Sequence, residues 1–137
     1  MEAKEILGLD IGAKNTGVAR ASNVARLAEP LMSISAKKTM ITLKKYIAEH
    51  KVEAIVIGLP RSLNGEDTEQ TKWVRDWVDK AKQKINAPLY YQDEALTTEK
   101  AKGYQLKANS SFDEHALAAA IILQDFLDSA EANRTTA

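Results

Sequence analysis

The stretch from Val52 to Gly58, "VEAIVIG", constrains the fold more than any other. A strand that is apolar at successive positions has to be covered on both faces, as inner strands of parallel sheets are. Residues 37 to 50 just before it place Met40, Leu43 and Ile47 at helical spacing, so the pair predicts a helix feeding a buried strand. Downstream, residues 66 to 85 put Trp73, Trp77, Ala81 and Ile85 on one stripe, expected to be core, with Glu66, Asp67 and Glu69 in a first turn that favours acids. Pro88 then opens another strand, "PLYYQDE".

The first third reads differently. "EILGLDIG" and "TGVARAS" are strand-like runs joined by a tight turn at Ala13-Lys14-Asn15, and "RLAEPLMSIS" adds a third, which together predict an antiparallel meander. A short helix is expected over 97 to 107 and a last helix of about 15 residues ends near Asp128. The expectation is an α/β fold, a mixed five-stranded sheet in the order 3-2-1-4-5 with helices on both faces, of the ribonuclease H kind. At 137 residues the chain suits one domain, 1–137, with residues 129–137 as a frayed tail.

Composition narrows the chemistry. There is no cysteine, so a thiol nucleophile, a disulfide and a Cys-ligated metal are all excluded. Nineteen basic and nineteen acidic residues cancel, so a polyanion partner would have to meet a local patch. No apolar window reaches the ~20 residues of a bilayer span, and no secretory leader is evident, which leads to the expectation of a soluble cytoplasmic protein without a membrane partner.

Three positions suggest a site. Asp10 interrupts the apolar run "ILGLDIGAKNTGVA", where a carboxylate needs a paired charge or a metal to offset desolvation, although an Asp beside Gly can also cap a turn. Gly8 and Gly12 around it allow backbone or phosphate to approach closely. Asp93 and Glu94 end the fifth strand and must point to opposite faces, so only one can share a face with Asp10. In the last helix His115 lies within ~40° of Ala119, Ile122 and Phe126 and so faces the sheet, whereas Asp113 points away and Glu114 lies on the flank. Ser111 to Glu114 also matches a capping box, a purely structural use. An oxygen-rich cluster of Asp10, Glu94 and a group near 115 suits Mg²⁺ or Mn²⁺ better than zinc, and such ions assist phosphodiester hydrolysis.

Phosphate contacts are expected from the loop "GLPRSLNGE", with Arg61 as a bidentate donor and Asn64-Gly65 as a turn before a helix. Lys14, Arg20, Lys100 and Lys102 are further cationic candidates, each also explicable as solvated surface.

"LGLDIGAKNTGVA", "VIGLPRSLNGEDTEQTKWVRDWVDKA", "YYQDEALTTEKA" and "HALAAAIILQDFL" resemble, in order, the motifs of the YqgF family, pre-16S rRNA nucleases also described as Holliday-junction-resolvase-like. The resemblance runs from about residue 5 to 127. It implies a ribonuclease H-like fold and metal-dependent cleavage of precursor rRNA, or of branched DNA, by a monomer or weak homodimer. Asp10 and Glu94 match the family's first two acidic positions. Where the family usually has Asp at the start of the last helix this chain has His115, and where Arg commonly follows the Asp-Glu pair it has Ala95. These departures keep open a nucleic-acid-binding domain without catalysis. An actin-like phosphotransferase, suggested by "LDIGAKNTG", is opposed by the length, since that architecture closes two such domains around ATP.

Overall fold

The computed structural model describes residues 3–62, 64–94, 114–129 and 135–137. Strands β1 (Glu5–Ile11), β2 (Asn15–Ser22) and β3 (Glu29–Ser35) form the expected antiparallel meander. A 3₁₀ turn at Ala36–Lys38 leads into helix α1 (Thr39–Glu49), which delivers strand β4 (Val52–Pro60) parallel to β1. Helix α2 (Glu69–Lys84) delivers strand β5 (Leu89–Glu94) parallel to β4, and helix α3 (Glu114–Asp128) follows. The expected short helix over 97 to 107 lies outside the described residues.

The sheet order is β3-β2-β1-β4-β5-β6, one strand more than expected. The addition, β6, is Thr135–Thr136, which pairs antiparallel with Tyr90 and Tyr91 while the Ala137 amide donates to the Leu89 carbonyl. Those three residues, read from sequence as part of a frayed tail, carry a β-branched pair that covers the Leu89–Tyr91 half of the β5 edge.

Alternation along each strand sorts the apolar side chains into two cores. Leu7, Leu9, Val18, Ile55, Ile57 and Leu59 pack with Leu43 of α1 and Val74, Val78 and Ala81 of α2. Ile6, Ala19, Ala21, Ala54 and Val56 pack on the other face against Ala119, Ile122, Leu123 and Phe126 of α3. Both faces of β4 are therefore covered, which is why its sequence could not alternate.

Helix α2 starts later than expected. Thr68 is its N-cap and forms a reciprocal capping box with Thr71, so Glu66 and Asp67 precede the helix. The Thr71 hydroxyl also donates to the carbonyl of Pro60, which ties the start of α2 to the end of β4. This phase makes Thr71, Val74, Val78 and Ala81 the buried stripe. Of the expected stripe Ala81 and Ile85 are buried, whereas Trp77 packs only at the margin of the core and Trp73 is 40% exposed.

Candidate active site

Asp10 occupies the next-to-last position of β1. Its neighbours Leu9 and Ile11 turn toward α1 and α2, which leaves Asp10 on the face covered by α3, the face that Ile6 and Gly8 also share. Leu9 pairs with Ile57, and Ile57 with Tyr91, so Asp10 stands one residue past this rung on β1 and Glu94 three residues past it on β5. Alternation then puts Glu94 on the α3 face with Asp10, two strand spacings of about 4.8 Å across and two residues of about 3.3 Å farther along, and Asp93 on the opposite face. Burial agrees with this assignment: Glu94 is 6% exposed, whereas the Asp93 side chain is 66% exposed.

Helix α3 reaches this end of the sheet because the strands beneath it lack side chains at the crossing points. A Cβ on Gly8 would lie 2.9 Å from the Ala119 carbonyl oxygen, and one on Gly17 only 1.8 Å from that of His115. Gly17 is the cross-strand partner of Asp10, so the start of α3 lies directly beside the carboxylate. The alanines of α3 are the visible half of this close approach. Gly17 is the half that sequence reasoning missed, although its place in period with Ala19 and Ala21 carried the signal.

Burial raises the proton affinity of Asp10 above that of an ordinary aspartate, His115 opposes the rise, and Glu114 adds to it, in that order of weight. His115 is half-buried and Glu114 exposed, as the helical wheel predicted. Among the described residues no three of His, Asp and Glu are grouped closely enough to hold an ion. Asp10 and His115 are brought together, Glu94 shares their face, and Asp113 lies outside the described residues.

A fold, a carboxylate at the C-terminal end of each of two parallel strands, half-buried at Asp10 and buried at Glu94, and a helix start packed against one of them can be compared with known proteins. The RuvX family model, described as Holliday junction resolvase, matches residues 4–129. The chain belongs to the RuvX family. This is the family that the four motifs resemble under the name YqgF. A relative from Roseiflexus sp. (strain RS-1), named "Putative pre-16S rRNA nuclease", is 36% identical over 138 residues, covering 93% of this chain and 96% of its own. One of the same name from Rickettsia africae (strain ESF-5) is 37% identical over 133 residues, covering 90% and 86%. Among solved structures, T. thermophilus RuvC in complex with a Holliday junction substrate superposes with a TM-score of 0.60 at 14% identity, covering 97% of this chain and 99% of that one. A second Thermus thermophilus RuvC structure gives 0.58 at 12% identity. At such identities these two show a shared RuvC-like fold.

In this RuvX chain the remaining candidates among the described residues fall into three groups. Lys14 is exposed in the β1–β2 turn, close to Asp10 along the chain, where a phosphate can reach it. Gly12 serves that turn, since a Cβ there would meet the Asn15 carbonyl oxygen at 2.4 Å. Arg61 and Asn64 are engaged within their own loop. Arg61 Nη1 donates to the Gly65 carbonyl and lies 3.5 Å from Asp67, while its Nε lies 3.2 Å from Asp93 without the alignment of a hydrogen bond. The Arg61 amide also donates to the carbonyl of Glu94 at 3.4 Å. Asn64 accepts from the Ser62 hydroxyl and the Glu66 amide, which shapes the turn before α2. Arg20 is removed from the site altogether. It pairs with Glu29 at 2.8 Å beside Tyr46 of α1, on the face opposite Asp10, because its register partner is Leu7. Ala95, Lys100 and Lys102 lie outside the described residues.

Proposed function

We propose that this chain is a divalent-metal-dependent endonuclease that processes the precursor of 16S rRNA in the cytoplasm. The observation that carries the reading is the pair Asp10 and Glu94, two carboxylates far apart along the chain that meet on one face and at one end of the sheet. Its support is that relatives bearing the pre-16S rRNA nuclease name match nearly the whole chain.

The donor set fits a hard divalent cation. Two carboxylates and one imidazole supply oxygen and nitrogen ligands without sulfur, and burial has made the ionised form of Asp10 unfavourable in the absence of a compensating charge. Asp10, Glu94 and His115 would hold Mg²⁺ or Mn²⁺ only by drawing closer together than they stand in this structure; the ion would lower the pKa of a coordinated water and offset charge on the leaving oxygen. His115 favours the ionised form of Asp10 through its positive charge, whereas as a ligand it must be neutral, so metal binding would displace its proton and weaken as pH falls. Lys14 would hold a phosphate of the strand beside the scissile bond, a contact that adds affinity without reading sequence. The Arg61 network positions the end of β5, and with it Glu94, rather than touching substrate. Nothing in this scheme requires a second copy of the chain, consistent with a monomer or weak homodimer.

The test is cleavage of precursor 16S rRNA with added Mg²⁺ by the wild type, Asp10→Asn and Glu94→Gln. Loss of at least a hundredfold in each variant, and in EDTA, is expected. Equal rates in all three proteins would overturn the proposal. Cutting of a four-way DNA junction with no action on the precursor would move it to the resolvase reading.

A further inference from the structure

We propose that Trp73 is a stacking platform for an unpaired base of the strand that enters the site, an inference that rests on the nuclease reading and specifies a single-stranded substrate segment. The capping box sets the phase of α2 so that Thr71, Val74 and Val78 face the sheet. Trp73 falls off that stripe and is 40% exposed, while Trp77, one turn on, packs against the core. The indole thus keeps about two-fifths of its surface open to a ligand.

The surroundings of Trp73 point to its partner. With Ala13, Glu69 and Gln70 it lines an open hollow of about 380 Å³. Ala13 belongs to the β1–β2 turn, three residues after Asp10, and so lies within ~10 Å of it along the backbone. The hollow therefore lies at the carboxylate end of the sheet, on the α2 side of the β1–β2 turn. Lys14, exposed beside Ala13, supplies the positive charge that a sugar–phosphate backbone crossing the turn requires. Gln70 and Glu69 offer an amide and a carboxylate to the edge of a planar heterocycle lying on the indole. A nucleotide satisfies all three groups at once, with a ring for Trp73, a base edge for the polar rim and a phosphate for Lys14. In a duplex the faces of the bases are already stacked, so the base must be unpaired.

The experiment is a fluorescence titration in EDTA, in a Trp77→Phe background where Trp73 is the sole indole. The probes are a single-stranded oligoribonucleotide and the same strand annealed to its complement. Saturable quenching by the single strand and little by the duplex is expected. Trp73→Ala should weaken binding of the single strand by about five- to hundredfold, and Trp73→Phe by only a few fold. Unchanged emission together with unchanged affinity of Trp73→Ala overturns the proposal. Adding Asp10→Asn to the Trp77→Phe protein separates the two readings. Quenching that persists there supports stacking even if no precursor is ever cut, and cleavage by Trp73→Ala at wild-type KM overturns stacking while leaving the nuclease.

Discussion

The α-carbon of Gly17 faces the carbonyl oxygen of His115 so closely that a methyl group on it would stand 1.8 Å from that oxygen. Gly17 pairs with Asp10, so this contact sets the distance between the strand carboxylate and the helix imidazole.

Gly17→Ala should therefore harm both stability and site. The obstacle is backbone, which no rotamer change can relieve, and overpacking of this kind typically costs 1–3 kcal/mol or more. For a chain of this size we expect Tm to fall by ~5 °C or more in calorimetry, with cleavage reduced further still. Gly65 is the control. It has φ +80 with open space around it, so Gly65→Ala should cost about 1 kcal/mol of backbone strain and leave the Asp10 environment unchanged. Equal effects of the two substitutions would contradict the close-approach account.

In EDTA, Asp10→Asn should be more stable than the wild type at neutral pH. Burial raises the native carboxyl above its ordinary value of 3.8, so as pH climbs through that value the unfolded chain releases its proton first. The native state then binds more protons than the unfolded state, and stability falls with rising pH until the native carboxyl has ionised as well. The Tm advantage of Asp10→Asn should therefore be a few degrees larger at pH 7 than at pH 4. A constant difference across that range would refute the assignment.

The two residues that open α3 should tune Asp10 in opposite directions. Replacing Glu114 by Gln removes a negative charge and should lower the pH at which Asp10 ionises, while His115→Gln removes a positive one and should raise it. Carboxylate NMR titration of metal-free protein measures both shifts. Shifts of the same sign would show that the helix start does not lie where the fold puts it. In cleavage assays the acidic limb of the pH profile should move the same way.

Arg61→Lys should lower kcat about tenfold with KM nearly unchanged. The arginine grips Asp67, Asp93 and the Gly65 carbonyl, and lysine cannot reproduce that fork. Its partners are substantially exposed, so little stability is at stake and Tm should change by no more than a few degrees. A phosphate contact instead predicts a raised KM and a shallower dependence of binding on salt, which a filter-binding series would reveal.

The sequence by itself determined the order of elements, the two-sided burial of β4, the direction of every strand pairing among the first five, and the presence of a carboxylate where an apolar strand has no use for one. These are local properties, written as a period of two or 3.6 over a few residues. It also stated that only one of Asp93 and Glu94 could join Asp10. The motif resemblance pointed to Glu94, and the register of β1, β4 and β5, a relation between distant segments, supplies the physical reason.

Tertiary structure alone likewise placed Arg20 on the far face, engaged Arg61 within its loop, brought Thr135–Thr136 onto the β5 edge and turned Trp73 outward by setting the cap of α2 at Thr68. The reason is common to all of them. A side chain's face follows from its own strand or helix, but its partner follows from how two distant elements dock, and that depends on contacts no single segment contains.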